Sequence, residues 1–477
     1  MNLRLSLASL LAATSLSACA VGPDYVAPAA PPSAQAPFLG SGVEDAGVTS
    51  AAPVAQWWKL YDDPVLDDLV REALAANTDI RVALARIEKA RASLRGSRAD
   101  RLPQGAIDAQ GGYRRASESQ LLPGMDREAR SVDGQLAVQY ELDLFGRVKR
   151  GIEASRADLG AAQEDADTVR VTVVADTVRA YVDASSAAER IAVAQRTVDL
   201  LTNSERITQA RFERGLNEKL DVIRLTQLKE QQAAAIPALQ AERDAALFRL
   251  ATLTGRTPQD LPQAVRTRTT TPDVAQAIPV GDGRALLARR PDVKAAERRL
   301  AADTARIGVA TADLYPTISL GGTIGTTAIG ASDVLGGGPL RWMLGPLISW
   351  AFPNQEAIRA RIGGARADAQ ADLATFDGAV LTALEETETA LSAYRGALQR
   401  RARLGEARDA AERAAKVSLA RQSRGQIDAL GALDAQRTLA GAEADYATGV
   451  RDVAFAQVDL FRALGGSWSA APEAAGD

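Results

Sequence analysis

The segment Val132-Asp-Gly-Gln-Leu-Ala-Val-Gln-Tyr-Glu-Leu-Asp-Leu144 decides the fold. Leu136, Val138, Tyr140, Leu142 and Leu144 alternate with Asp133, Gln135, Gln139, Glu141 and Asp143. A period of two is that of a strand, here with one apolar face and one acidic or amidic face. A strand-like pattern also follows Pro103. Further on, Ile318, Leu320 and Ile324 stand against Thr317, Ser319 and Thr323, and Trp342, Leu344, Ile348 and Trp350 share one face. The glycine-rich stretch from Gly325 to Pro339 reads as the loop between these last two strands.

Outward from the strands, the chain is written twice. Asn77-Thr78-Asp79-Ile80 leads to Leu102-Pro103 as Arg290-Pro291-Asp292-Val293 leads to Tyr315-Pro316, and Arg214-Gly215 and Gly255 recur as Arg424-Gly425 and Gly465. Internal repetition of this kind outranks any local reading. It predicts two repeats, residues 56–270 and 271–466, each running helix, strand, loop, strand, long helix, turn and helix. Asp63-Pro64 is a helix start signal, and residues 64–99 and 217–253 read as helices. Residues 148–213 and 354–424 contain no proline. Val380, Leu384, Thr387, Leu391, Tyr394 and Leu398 recur there at four- and three-residue steps, as do Val171, Val174, Val178 and Tyr181, which predicts coiled-coil-like seams. Helices of that length extend on the order of 100 Å at about 1.5 Å per residue.

Four strands leave two edges. Unpaired backbone groups are not tolerated in hydrocarbon, and about eight strands is the practical minimum for a transmembrane barrel. A closed barrel therefore requires several copies of the chain; three copies supply twelve strands. Trp342, Trp350, Phe145 and Tyr140 near the strand ends fit an interfacial aromatic belt, and ordinary core packing accounts for each of them equally well. A helical bundle with a small accessory sheet is the alternative architecture.

Composition narrows the chemistry. The 477 residues carry 56 Lys and Arg against 60 Asp and Glu, no histidine and one cysteine. A net charge of -4 supplies no broad field for nucleic acid. Without histidine there is no Ser-His-Asp triad and no zinc site built on Cys and His. Carboxylate-only hydrolysis stays formally open, with no marked pair to perform it. The expectation is a chain that is not an enzyme and uses no cofactor or metal.

The lone cysteine, Cys19, closes the run Leu16-Ser-Ala-Cys19 behind a leader that begins with Arg4 and is apolar from Leu5 to Leu16. That leader has signal-peptide length and is shorter than a spanning helix. It resembles a bacterial lipobox, which implies a signal peptide over residues 1–18 and acylation of Cys19. Residues 19–55, rich in Ala, Pro, Gly and Ser, read as a lipidated tether, and residues 467–477 as a disordered tail.

Several motifs in order then resemble one family: Cys19-Ala-Val-Gly-Pro-Asp-Tyr25, Trp57-Trp-Lys-Leu-Tyr-Asp-Asp-Pro64, Tyr140-Glu-Leu-Asp-Leu-Phe-Gly-Arg147, Arg289-Arg-Pro-Asp-Val293 and Asp434-Ala-Gln-Arg437. They look like the outer-membrane efflux channels of TolC-type fold, in their NodT-like lipoprotein branch, over roughly residues 19–466. The resemblance implies a mostly α protomer with a β-barrel contribution, a homotrimer with a twelve-stranded outer-membrane barrel and a periplasmic helical barrel, and export of small molecules. It also implies docking to a periplasmic adaptor that joins the channel to an inner-membrane transporter of the RND type. The alternative function is a structural periplasmic coiled-coil lipoprotein without channel activity.

Two turns, Arg214-Gly215-Leu216-Asn217 and Arg424-Gly425-Gln426-Ile427, lie opposite the strands in each repeat. They read either as reversals alone or as reversals that also dock an adaptor, through Arg214, Gly215, Leu216, Arg424, Gly425 and Gln426. Glu218, Asp221, Asp428 and Asp434 follow them. Threefold symmetry converts an inward-facing acid into a ring that repels itself and attracts cations, the ingredients of a gate; a solvated helix face is the alternative. The resemblance places gate aspartates in this stretch. Asp434 matches one position, whereas Gly431 stands where a family aspartate can occur, leaving Asp428 as its replacement.

Overall fold

The computed structural model describes residues 20–42, 47–117, 119, 127–329 and 340–466. In chain order these form β1 (Val48–Thr49), α1 (Pro64–Ala76), α2 (Thr78–Ala99), β2 (Gln104–Arg115), β3 (Glu128–Leu142), α3 (Arg147–Glu213), α4 (Lys219–Ala233), α5 (Ala235–Leu253), α6 (Gln263–Arg266), β4 (Ile278–Pro279), α7 (Gly283–Arg289), α8 (Pro291–Ala312), β5 (Thr317–Ile329), β6 (Leu340–Ser349), α9 (Glu356–Ser423) and α10 (Ala429–Ala463). A strand pair and a long helix follow α2 and again follow α8; the return is split between α4 and α5 in the first case and is the single helix α10 in the second.

Boundaries depart from the sequence expectation where one side chain or one ring intervenes. Residues 64–99 form two helices, because the Asn77 side-chain oxygen accepts from Asp79 N and Ile80 N at 2.8 and 3.3 Å and so caps α2. The same side chain donates to the Leu253 carbonyl at 3.0 Å. Residues 217–253 also break, at Ala234. Pro237 is the cause: it lacks the N–H that would bond Ala233, and its ring crowds that carbonyl. At Arg290 the following Pro291 forces ψ to 119°, separating α7 from α8. β5 continues through Gly325 to Ile329, where the sequence reading begins a loop; residues 330–339 lie outside the described residues.

The described chain divides into two compact units. The first comprises residues 20–28, 86–163 and 295–376. It contains the four-stranded antiparallel sheet, order β2-β3-β5-β6. Leu94, Val148 and Ile152 form a buried cluster beneath Leu159. The segment Ala20–Pro28 packs along this unit. Val21 N donates to Phe145 O at 3.1 Å, Arg150 donates to Val21 O and pairs with Asp24 at 2.6 Å, and Tyr25 donates to Glu297 at 3.0 Å. Gly308 makes that approach possible, since a Cβ there would sit 2.8 Å from Arg150 Cγ and 3.0 Å from Val21 O.

The second unit comprises residues 29–85, 164–294 and 377–466. Its core gathers Leu66, Leu69, Val70, Leu250, Leu286 and Leu460, all essentially inaccessible. Trp57 stacks on Phe461 at 4.6 Å. Of the seam residues, Val174, Val178, Tyr181, Val380, Thr387, Leu391 and Tyr394 are buried, as their spacing predicts, whereas Val171, Leu384 and Leu398 are half-buried. Buried Arg290 ties three segments together, pairing with Asp292 at 2.6 Å and Glu386 at 2.7 Å and donating to the Ala463 carbonyl. Such a cation is tolerated out of water only with partners on its several N–H groups. Among the described residues no helix is long and apolar enough to cross a membrane.

Candidate functional site

The sheet sorts its side chains by register. Ile107, Leu136, Ile324 and Trp342 are direct cross-strand neighbours and form one apolar row across four strands. Val138 and Leu344, then Tyr140 and Leu320, then Leu142, Ile318 and Ile348 continue that face. Trp342, Leu344, Ile348 and Ile107 remain 73, 70, 68 and 81% exposed in a single chain, so this face has no cover of its own. At one end it gives way to Tyr113, Arg115, Glu128 and Arg130, with Arg115 paired to Glu128 at 3.0 Å. At the other end Trp350 stacks on Phe352 at 4.8 Å and its ring N–H donates to Leu314 O, while Phe145 stacks on Tyr315 at 4.6 Å. From Arg130 to Tyr140 a strand rises about 33 Å, which at the usual tilt of a membrane barrel gives an apolar band roughly 25 Å tall.

The opposite face carries polar side chains cross-linked to one another, interspersed with Ala106, Ala137, Met343 and Leu347. Arg341 pairs with Asp133 at 2.9 Å and Thr327 donates to the same carboxylate at 2.6 Å. Gln139 donates to Ser319 at 3.0 Å, and Asp108 lies opposite Gln135. Glu141 holds Arg147 through two hydrogen bonds of 2.9 and 2.6 Å. Asp143, assigned by alternation to this face, instead caps α3, accepting from Val148 N and Lys149 N at 3.0 and 2.7 Å; the strand ends at Leu142. Among the described residues β2 pairs only with β3 and β6 only with β5, which leaves one free edge on each.

The two turns share one geometry. Gly215 and Gly425 have φ of +74° and +71°, the left-handed region that ends a helix at lowest steric cost in glycine. Leu216 N bonds Arg211 O and Gln426 N bonds Arg421 O, each at 2.9 Å and five residues back, which consumes carbonyls the helix end would leave unsatisfied. Arg214, Leu216, Arg424 and Gln426 are exposed around them.

The four acids beside the turns differ in their engagements. Asp428 caps α10, one oxygen accepting from Gly431 N at 2.8 Å. Asp434 pairs with Arg437 one turn on, at 2.6 Å, both side chains about two-thirds exposed. Asp221 accepts from Asn217 at 3.1 Å and is half-buried. Glu218 precedes α4, is exposed and makes no side-chain cap. Cys19 lies outside the described residues. Sequence reasoning missed Glu205, which binds Lys229 at 2.7 Å and the Thr226 hydroxyl, linking α3 to α4 a few turns from the reversal. Those hydrogen bonds hold its carboxyl below the usual range. Comparable distances from Gly215, ten residues before for Glu205 and eleven after for Thr226, were the available signal.

An antiparallel sheet with an uncovered apolar face, combined with long coiled-coil helices, defines a membrane channel component. A family model described as outer membrane efflux protein matches residues 69–256 and 283–466. The outer membrane protein OprJ of Pseudomonas aeruginosa is 34% identical over 463 residues, 96% of this chain and 95% of the relative. Nodulation protein T of Rhizobium leguminosarum bv. trifolii is 29% identical over 460 residues, 95% of this chain and 96% of the relative. The solved structure of the outer-membrane channel OprN superposes with a TM-score of 0.87 at 37% identity, covering 94% of this chain and all of that one. The chain belongs to the outer membrane efflux protein family. It is an outer-membrane channel component of an efflux pump, with the TolC-type fold, and the members of its family are channels rather than enzymes.

Proposed function

We propose that three copies of this chain assemble into a conduit for small molecules, gated at the Gly215 and Gly425 turns and energised entirely by its partners. The β2 edge of one copy pairs with the β6 edge of the next, giving twelve strands. The observation that supports this most directly is the pairing of two free strand edges with an uncovered apolar face, since neither is stable in hydrocarbon until the sheet closes. Acylated Cys19, released by removal of residues 1–18, anchors the N-terminus; residues 19–55 lead from it to the repeats 56–270 and 271–466, with residues 467–477 as a tail. The turns, through Arg214, Gly215, Leu216, Arg424, Gly425 and Gln426, dock a periplasmic adaptor that connects to an inner-membrane transporter of the RND type. The chain itself performs no bond chemistry and binds no cofactor.

Asp428 and Asp434 form the gate rings, with Glu218 and Asp221 as contributors. Asp428 also caps a helix, so charge and capping must be separated. Asp428→Asn keeps an acceptor for Gly431 N while removing the charge. In planar bilayers, Asp428→Asn combined with Asp434→Asn raises single-channel conductance. Unchanged conductance in trimers of normal mass counts against these acids, and a particle that stays monomeric and non-conducting in lipid overturns the conduit itself.

A further inference from the structure

The uncovered face of the four-stranded sheet ends differently at its two rims. The helices join the sheet at one of them, where α2 leads into Gln104 and Leu142 leads on toward α3. Rings close the face there: Tyr140, Trp350 and Phe352. At the far rim Tyr113 lies opposite Arg130, and Arg115 lies opposite Glu128. All four keep the strand parity of Ile107 and Leu136, so they project on the apolar side. The helical part of this family is periplasmic, which turns the far rim toward the cell exterior.

Charge on this side of the sheet is confined to that rim. Among the described strand residues of this parity the only acid is Glu128 and the only bases are Arg115 and Arg130. Both oxygens of Glu128 are engaged, one by Arg115 at 3.0 Å and the other by the Tyr113 hydroxyl. Arg130 is exposed and makes no hydrogen bond or ion pair among the described residues. It stands on the diagonal from Arg115, about 7 to 8 Å away across the strand pair, so one phosphate lies within reach of both side chains. Arginine pairs with phosphate through parallel N–H bonds, and the pairing strengthens beside hydrocarbon, where the dielectric is low. Below Arg130 the face continues as Val132, Leu136 and Ile107, a surface for acyl chains. Tyr113, 66% exposed, offers a ring of the kind on which sugars stack. We propose that this rim docks the phosphorylated saccharolipid of the outer leaflet, with its phosphate on Arg130 and Arg115, its sugar against Tyr113 and its chains on the apolar face. The site rests on the reading of the sheet as a lipid-facing barrel wall.

Native mass spectrometry tests the site on the full-length chain, released from phosphatidylethanolamine nanodiscs containing lipid A, by counting the lipid each particle retains. Bis-phosphorylated lipid A is expected to stay bound, whereas the same lipid stripped of its phosphates is lost and phosphatidylglycerol does not displace it. Arg130→Gln lowers retention about tenfold through loss of the charge-assisted pair. Arg341→Gln, on the opposite face, leaves it at the parental level. Retention untouched by Arg130→Gln, equal retention of the dephosphorylated lipid, full displacement by phosphatidylglycerol, or an equal loss in Arg341→Gln each overturns the site. Conductance of the same preparations in phospholipid-only bilayers reports on the conduit. A conducting particle that retains no lipid A refutes the site alone, and a non-conducting monomer refutes the barrel on which it rests.

Discussion

At the residue scale, glycine and one capping acid decide where the helices reverse. Gly215 and Gly425 have open space where a Cβ would project, so replacing either tests backbone conformation alone. Gly215→Ala and Gly425→Ala each destabilise the turn by about 1 kcal/mol through the positive φ, measurable as a lowered midpoint in chemical unfolding. Crowding is not involved, and a neutral result therefore excludes a left-handed residue at the turn. Gly308 is the opposite case. Its Cα–H faces Arg150 and the Val21 carbonyl with no room for a side chain. Gly308→Val forces overpacking of about 1 to 3 kcal/mol and frees Ala20–Pro28, seen as faster proteolysis within residues 20–28 by mass spectrometry. Cleavage at the parental rate contradicts the packing of that segment.

At the element scale, the α3–α4 reversal carries a titratable link. Glu205 has its pKa lowered first by the hydrogen bond from Lys229 and then by that from Thr226. A carboxylate depressed in the folded state contributes stability that is present above its unfolded value, near 4.5, and is lost as pH falls below it. Unfolding of the parent therefore eases as pH falls from about 5 toward 3. Glu205→Gln is expected to flatten part of that slope and to leave stability near pH 7 lower; an identical pH profile in the variant removes the link. Element boundaries follow the same local chemistry. Asn77 and Pro237 were both legible in the chain, yet periodicity alone passes over them, because it counts apolar positions and not backbone donors.

At the scale of the whole molecule, the two faces of the sheet make unequal demands on their surroundings. Ile324 lies in the apolar row with Ile107, Leu136 and Trp342, whereas Thr323 lies in the row with Ala106, Ala137 and Met343. A basic residue facing lipid near the bilayer midplane costs about 2 to 4 kcal/mol, while one facing water costs little. Ile324→Arg is expected to reduce the yield of membrane-assembled protein several-fold, and Thr323→Arg to leave it near parental, measured by oligomer resistance to detergent. Equal losses for the two variants contradict the assignment of faces. The same contrast links the sheet to efflux: one face seals against hydrocarbon so that the other can remain wet.

The chain by itself determined the period-two strands, the duplicated order of elements, the buried seams of α3 and α9 and the glycine reversals, since each depends on spacing or on the backbone freedom of one residue. The family was legible for the same reason, through motifs that keep their order along 477 residues. Tertiary structure alone decided what those residues meet. It brought Arg290 to Glu386 and Ala463, Arg341 to Asp133 and Glu205 to Lys229. It turned Asp143 and Asp428 into helix caps. Partners distant in sequence leave no periodic trace, because a charge pair is defined by where two segments pack and not by the spacing within either.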